Sequence, residues 1–195
     1  MHIGIDFDDV LVDANSSLAR FHNRAYGTNY RREDVWTWHL DQLWGCSMEE
    51  AIRRVHAWYG SPEHDAIEPV QGARWAIADL AARHTLHLIT SRPGAMTLRT
   101  TALLHKHFLP EHFAGLHFIG TEPGLGSKVD ACKALGVACL VEDSLAHARD
   151  VAASGVPVVL FDCPWNREPL PHGVWRAYGW DDALDGIEHH AKPAP

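Results

Sequence analysis

The sequence predicts an α/β fold, with a parallel sheet of about five strands flanked by helices and a small helical cap inserted after the first strand. Short, β-branched apolar runs alternate with helical patterns in the second half of the chain, which is typical of βαβ units. The segment 14–72 shows helical patterns only. The chain has 195 residues, 46% of them hydrophobic, which is enough for one compact core.

The predicted strands are short runs with the β-branched composition of buried strands. They are HIGIDF at the start of the chain, TLHLIT (85–90), LHFIG (116–120), VACLVE (137–142) and VPVVLF (156–161). The helical patterns between the last four are MTLRTTALLHKHF, SKVDACKALG and SLAHARDVAASG. The last of these begins near Ser144, a good N-cap residue, and is followed by Gly155.

The segment between the first two strands interrupts this alternation. ANSSLARFHNRAYG and SMEEAIRRVHAWYG both have helical patterns that end in Gly, and a tryptophan-rich stretch lies between them. We therefore expect a helical cap subdomain over 14–72 and an α/β core domain made of 1–13 and 73–195. Small helical subdomains need large side chains for a core, so most of the tryptophans in the cap are expected to be structural.

Polar residues follow the predicted strands where the strands end. Ligands of open α/β sheets bind outside the carboxyl ends of the strands, so these side chains are expected to share one edge. The first strand contributes Asp6 and Asp8, the second Thr90, Ser91 and Arg92, the fourth Glu142 and Asp143, and the helix before the fourth strand Lys128.

Such a set of residues suits phosphate chemistry. Clustered carboxylates repel each other and resist desolvation, but Mg²⁺ among them relieves both costs and also binds a substrate phosphate. One carboxylate can attack phosphorus to form an aspartyl-phosphate, and a second can protonate the leaving oxygen and then activate water. Thr and Lys side chains can hold the phosphoryl oxygens as charge develops.

Four motifs, in the same order along the chain, resemble those of the haloacid dehalogenase superfamily of phosphohydrolases. They are IGIDFDDVL, LHLIT ending in Thr90, Lys128, and CLVEDS. The match runs from residue 2 to about 161. The resemblance implies a Rossmann-like core and a Mg²⁺-dependent phosphomonoesterase that acts through an aspartyl-phosphate.

The resemblance also implies a role for each residue at the sheet edge. Asp6 would be the nucleophile and Asp8 the general acid and base, while Asp143 would bind Mg²⁺ together with Asp6 and the carbonyl group of Asp8. The phosphoryl group would be bound by Thr90 and Lys128, with Ser91 as a further candidate.

Two positions depart from the family's pattern. Many members carry a second acid four residues after the first acid of the fourth motif, and here that position is His147. Glu142 could substitute as an additional metal ligand or support the site indirectly, although Asp143 aligns better with the family's metal ligand. Asp9 stands where many members have Gly, and we expect it to be exposed to solvent.

A narrower resemblance concerns the substrate. EPVQGARWAIADLAARHTLHLITSRP and LFDCPWNR resemble segments of the 5′(3′)-deoxyribonucleotidases and their bacterial relatives, which implies a 5′-nucleotidase acting on (deoxy)nucleoside monophosphates. In that group aromatic cap residues line the base pocket, so Trp36 and Trp38 are substrate candidates beside their structural interpretation. Arg92 is a further candidate, and its alternative role is a structural ion pair.

Three other functions share some of these features. A phosphatase of the same superfamily could act on a sugar phosphate or another small metabolite. A signalling receiver domain also uses an acid pair, Thr or Ser, and Lys, but its phosphate-accepting Asp ends the third strand, where this chain has FIGTE. A non-catalytic nucleotide-binding protein is disfavoured because Asp6 and Asp8 are both present.

Charge and composition narrow the partners. A net charge of −8 argues against a nucleic acid polymer and against an anionic membrane surface. The partner that the resemblance implies is a small phosphomonoester, a nucleotide. The four cysteines form no CxxC pair and there is no signal peptide, so we expect a cytoplasmic protein. The sequence leaves a homodimer open.

Overall fold

The computed structural model describes residues 1–120 and 125–191. Its strands are β1 (His2–Ile5), β2 (Thr85–Thr90), β3 (Phe113–Phe118), β4 (Val137–Glu142), β5 (Val158–Phe161) and β6 (Val174–Ala177). Its α-helices are α1 (Ala14–Tyr26), α2 (Leu40–Trp44), α3 (Met48–Tyr59), α4 (Pro62–Asp65), α5 (Ala73–Ala81), α6 (Thr97–His107), α7 (Lys128–Ala134), α8 (Leu145–Ala153) and α9 (Trp180–Ala191). The predicted α/β class is confirmed.

The strands form a single parallel sheet in the order β3-β2-β1-β4-β5-β6. The chain leaves β1 toward β2 and β3 on one side and later returns to build β4, β5 and β6 on the other. The strand order therefore reverses between β1 and β4, the place where open α/β sheets leave a crevice for ligands.

The sheet has six strands, whereas the sequence predicted about five. The additional strand β6 pairs in parallel with β5, with Val158 opposite Val174 and Phe161 opposite Ala177. It is a short edge strand, in which the second residue, Trp175, is exposed and the third residue is Arg176. A four-residue edge strand of this composition lacks the apolar run that marked the other strands.

The apolar core covers both faces of the sheet in two clusters. The larger cluster joins Ile5 of β1 to Leu18 and Phe21 of α1, so the predicted cap packs onto the core directly. Of the cap tryptophans, Trp58 is buried in this cluster, as expected for a structural residue, and Trp44 packs against it. The division into core and cap domains stays a prediction.

Helix ends follow the local sequence closely. The Ser144 side chain accepts the N–H of His147 at the start of α8, as the sequence predicted. Ser127 and Ser47 cap α7 and α3 in the same way, and Asp13 caps α1.

No helix in the two described ranges combines the length and the apolar character needed to cross a bilayer.

Candidate active site

The site lies at the carboxyl ends of β1 and β4, where the strand order reverses. The backbone N–H of Asp6 donates to the carbonyl oxygen of Val141 at 2.9 Å, which places the Asp6 side chain beside the end of β4. Asp6, Glu142 and Asp143 each offer a carboxylate oxygen, and these three atoms lie within 4.8 Å of one another. All three residues are buried.

This burial makes the charged carboxylates costly. Burial raises the pKa of Asp6 to about 7, against an opposing effect of the nearby Lys128. Burial, together with the charges of Glu142 and Asp6, also raises the pKa of Asp143 well above its usual range. A divalent cation among oxygen ligands would stabilise the ionised forms, so the donor set fits Mg²⁺.

Lys128 stands at the centre of the acidic cluster. Its ammonium nitrogen lies 2.5 Å from Asp6 Oδ1 and 2.5 Å from Glu142 Oε2. Burial would lower the pKa of Lys128, but the two carboxylates hold it above its usual value. They also offset the unfavourable position of a cation at the start of a helix. Three carboxylates share this space with one ammonium group, so the positive charge of Lys128 balances only one of them when all three are ionised.

Glu142 and Asp143 are held differently. Glu142 Oε1 accepts the backbone N–H groups of Asp143 at 3.2 Å and of Ser144 at 2.9 Å. Burial opposes ionisation of Glu142, but Lys128 and His147 hold its pKa below the usual range. His147, which occupies the family's second acid position, lies 3.7 Å from Glu142 Oε1 through its Nδ1. Protein groups therefore already satisfy Glu142.

Asp8 is engaged by Arg92 from the loop after β2. The guanidinium donates to Asp8 Oδ2 at 2.8 Å and to Oδ1 at 2.7 Å, a bidentate pair. The same guanidinium also contacts His64 and Thr100 and lies over the ring of Phe7. Arg92 is 3% exposed. The structure thus provides the ion pair that was the alternative role of Arg92, and a contact of Arg92 with substrate stays a prediction.

Thr90 and Ser91 lie at the end of β2 and line the same cavity of about 390 Å³ as Asp6, Asp8 and Lys128. Thr90 is buried, and its hydroxyl oxygen accepts the backbone N–H of Arg92 at 3.1 Å. Its own O–H is still able to donate, as a phosphate ligand must. The structure therefore brings the residues predicted at the sheet edge to one cavity.

The cap side of this cavity includes Trp38 and Tyr59. A second cavity of about 250 Å³ shares both residues and continues along apolar side chains of the cap, among them Leu40, Met48, Ile52 and Val55. Trp36 lines neither of these two cavities in the described part of the chain. Val35 and Thr37 turn inward and are buried, while Trp36 is 58% exposed.

Sequence reasoning missed Tyr59 and passed over the contacts of Trp165. Tyr59 is the last residue of α3, and burial, with the nearby charge of Asp8, raises its pKa to about 12. The indole N–H of Trp165 donates to Asp143 Oδ2 at 2.9 Å. The aromatic ends of HAWYG and of the Pro-Trp-Asn segment were the available signals, but their contacts depend on the folded chain.

Asp9 corrects one expectation. It is 1% exposed. Its carboxylate accepts a hydrogen bond from the backbone N–H of Asn15 at 3.2 Å and forms an ion pair with Arg32. Burial raises the pKa of Asp9 to about 6, although Arg32 opposes the shift. Its φ angle of 59° lies in the left-handed region that favours Gly. Asp tolerates this region better than most residues do.

The fold, together with a family model that matches almost the whole chain, identifies a haloacid dehalogenase-like hydrolase of phosphoric monoesters. A structure of a hydrolase of that family from Streptococcus pneumoniae superposes with a TM-score of 0.70 at 15% identity, over 95% of this chain and 97% of the other. Protein Tyrosine Kinase A from Mycobacterium tuberculosis gives 0.72 at 20% identity, over 95% and 97%. At such identities these similarities establish the fold.

The chain belongs to the family described as "5′ nucleotidase, deoxy (Pyrimidine), cytosolic type C protein", whose model matches residues 1–193. A relative from Clostridium acetobutylicum, named a nucleotidase, is 24% identical over 188 residues, which cover 96% of this chain and 94% of that protein. The resemblance seen in the sequence is thereby confirmed, and the chain is a nucleotidase-like hydrolase.

Proposed function

We propose that this protein is a Mg²⁺-dependent 5′-nucleotidase that hydrolyses (deoxy)nucleoside monophosphates through an aspartyl-phosphate on Asp6. The observation that carries the proposal is the buried cluster of Asp6, Glu142 and Asp143 around Lys128, open to a cavity that also contains Asp8 and ends at aromatic cap residues. The family of the chain supports the nucleotide as substrate.

In the first half of the reaction, a carboxylate oxygen of Asp6 attacks phosphorus, and the bond from phosphorus to the leaving oxygen breaks. Asp8 gives its proton to that oxygen and releases the nucleoside. In the second half, Asp8 takes a proton from water, whose oxygen attacks phosphorus. The acyl-phosphate bond then breaks, and phosphate leaves with the Asp6 carboxylate restored.

The remaining residues at the edge bind and orient. Lys128 and the hydroxyl groups of Thr90 and Ser91 donate to the phosphoryl oxygens, where negative charge must be stabilised in the transition state. Arg92 is bound to both oxygens of Asp8 in the substrate-free protein, so this pair must open before Asp8 can carry the proton that it gives to the leaving oxygen.

Asp6, Asp143 and the carbonyl oxygen of Asp8 would hold Mg²⁺, which when bound supplies the positive charge that this acidic site and a phosphate both need. Asp143 suits direct ligation better than Glu142, because Glu142 is already bound by Lys128 and two backbone N–H groups. Glu142 instead holds Lys128 in position.

Substrate choice is assigned to the cap. Trp38 and Tyr59 present aromatic rings at the mouth of the phosphate cavity, and the apolar cavity beyond them suits a flat base better than a polyhydroxyl sugar. Stacking of a base on an aromatic side chain contributes about 1–3 kcal/mol in proteins that bind single strands.

The test is phosphate release from a panel of nucleoside monophosphates and sugar phosphates with Mg²⁺, with the Asp6→Asn variant as the blank. We expect nucleoside monophosphates to give the highest kcat/KM. A panel in which sugar phosphates are preferred would contradict the nucleotidase assignment and leave phosphatase activity in place. A panel without any turnover above the blank would contradict the proposed catalysis.

A further inference from the structure

Trp165 lies between the acidic cluster and the cap. It belongs to a short 3₁₀ turn, Pro164–Asn166, that follows β5. Its indole N–H donates to Asp143 Oδ2 at 2.9 Å. A hydrogen bond to one oxygen of a carboxylate restricts rotation of the group about its last bond, so the direction of the other oxygen is set as well.

The backbone beneath this contact is fixed independently. Asn166 is fully buried, and its side-chain amide donates to the carbonyl oxygens of Asp143 and Phe161, both at 2.7 Å. Asn166 Oδ1 accepts from the backbone N–H of Cys163 at 3.1 Å and from Arg176 at 2.8 Å. The position of the turn therefore does not depend on the indole, and the indole N–H acts on the Asp143 carboxylate alone.

The ring of Trp165 is held from the cap side by two residues. The Arg32 guanidinium lies 4.9 Å from the ring centroid, and the Trp38 ring meets it edge-on at a centroid distance of 4.9 Å. Arg32 is in turn bound to Asp9 and Asp13, on the segment that follows β1. Cation–π and edge-to-face contacts of this kind stabilise the position of an aromatic ring.

We propose that Trp165 is a positioning residue that sets the orientation of the Asp143 carboxylate for Mg²⁺ and links that orientation to the cap through Arg32 and Trp38. The inference rests on the proposed function and deepens it. Residues that orient metal ligands typically contribute about 10- to 100-fold to metal affinity, so a single N–H at this position has a measurable effect.

The first test removes the indole N–H. Trp165→Phe keeps an aromatic ring between Arg32 and Trp38 and removes the donor to Asp143. Calorimetric titration of the substrate-free protein is expected to show Mg²⁺ binding weakened about 10-fold or more. Trp175→Phe is the matched control, since Trp175 is half-exposed on β6 and contacts His189, away from the site. This control should bind Mg²⁺ like the wild type.

Kinetics distinguish positioning from a merely structural role. In Trp165→Phe the activity at low Mg²⁺ should fall by the same factor as the affinity and recover at saturating Mg²⁺, with KM for the nucleotide within about twofold of the wild type. A loss that Mg²⁺ does not rescue, or that follows a lower melting temperature, would contradict the proposal.

The second test addresses the link to the cap. Trp38→Ala removes an edge contact of the Trp165 ring, so it should weaken Mg²⁺ binding about two- to fivefold without any substrate present. In the Trp165→Phe background the same change should have no effect on Mg²⁺ affinity, because the N–H that transmits it is gone. Equal effects in both backgrounds would contradict the link.

These outcomes separate the two proposals. A wild-type protein that binds Mg²⁺ and turns over substrate, with Trp165→Phe unchanged in Mg²⁺ affinity, contradicts the positioning role alone. A wild-type protein that binds no Mg²⁺ contradicts the proposed function and this inference together.

Discussion

The carboxyl edge of the sheet and the cap face opposite it hold their side chains in different ways. At the edge, Asp6, Lys128 and Glu142 are at most 6% exposed and are joined by contacts of 2.5 Å. On the cap face, Trp38 is 42% exposed and most of its neighbours along the second cavity are apolar. Stabilisation of a developing charge requires dipoles and charges that are already in place, whereas an apolar surface can accept many shapes.

This difference suggests that the reaction type resides at the edge and the choice of substrate at the cap. Substitutions at the edge should then reduce turnover of every phosphate ester by similar factors. Substitutions at the cap should change the ranking of substrates and leave the chemistry intact at saturating Mg²⁺. The expected effects run from the largest, at the nucleophile, to the smallest, at the contact between the two regions.

Asp6→Asn is expected to reduce kcat for all substrates by about 10³-fold or more, since an amide is a poor nucleophile and a weak metal ligand. Phosphate release and thermal melting would be measured together. The exposed Asp150 supplies a matched control, and Asp150→Asn should leave both unchanged. Retention of more than about a tenth of the activity by Asp6→Asn would rule out covalent catalysis at this residue.

Metal removal should abolish the reaction at the sheet edge, whatever substrate the cap selects. EDTA is expected to reduce activity by at least about 10²-fold, and Mg²⁺ should restore it, because the carboxylates and the phosphate otherwise repel each other. Ca²⁺ should inhibit, since its larger and looser coordination misplaces the attack. Full activity in EDTA, in protein shown by elemental analysis to be metal-free, is incompatible with the proposed site.

Trp38→Ala tests the cap. It should raise KM for nucleoside monophosphates about 5- to 150-fold, the equivalent of one stacking contact, and change KM for a small aliphatic phosphate much less. Trp36→Ala is the matched control, because Trp36 lies two positions before Trp38 in the chain but lines neither of the two cavities. An equal rise in KM for both classes of substrate would show that Trp38 stabilises the fold and does not bind the base.

His64 tests the contact between the two regions. It is fully buried against Trp58 and Arg92, and burial, with the charge of Arg92, lowers its pKa to about 4. The unfolded chain binds this proton near pH 6.5, so the stabilisation is complete above pH 6.5 and is lost as pH falls toward 4. From pH 7 to pH 5, the loss is on the order of 2 kcal/mol.

Urea unfolding of the wild type and His64→Gln at pH 7 and pH 5 measures this contribution. The variant should lose less stability on acidification, because glutamine does not titrate, while the other ionisable groups are common to both proteins. Parallel losses in the two proteins would show that His64 does not carry the effect.

Most site residues at the sheet edge could be predicted from the sequence, because the signals that mark them lie in neighbouring residues. Each catalytic candidate directly follows a strand whose apolar run is visible, and parallel strands bring their carboxyl ends together. The pair of Asp8 with Arg92 was foreseen only as one alternative for Arg92, since it joins residues 84 positions apart. The strand β6 was missed because an edge strand of four residues has little apolar pattern.

The cap face was less predictable for a physical reason. Trp36 and Trp38 are the same residue type two positions apart, yet in the fold Trp38 lines the cavity and contacts Trp165, whereas Trp36 does not line it. Tyr59 and Trp165 acquire their contacts from distant parts of the chain. Asp9 looked like a solvated acid, but Arg32 from the cap segment covers it. Such contacts follow from tertiary packing and leave no local signal.

The most direct test of the central claim is to trap the covalent intermediate in Asp8→Asn. This variant retains the Asp6 nucleophile but lacks both the acid for the leaving oxygen and the base that activates water. With an aryl phosphate, whose leaving group departs without a proton, the aspartyl-phosphate should therefore form and accumulate. After a brief incubation with p-nitrophenyl phosphate and Mg²⁺, acid quenching and peptide mass spectrometry should find one phosphoryl group on Asp6, and none when Asp6→Asn is added. Phosphorylation of another residue, or an unmodified Asp6 in Asp8→Asn protein that has released nitrophenol, would contradict the account.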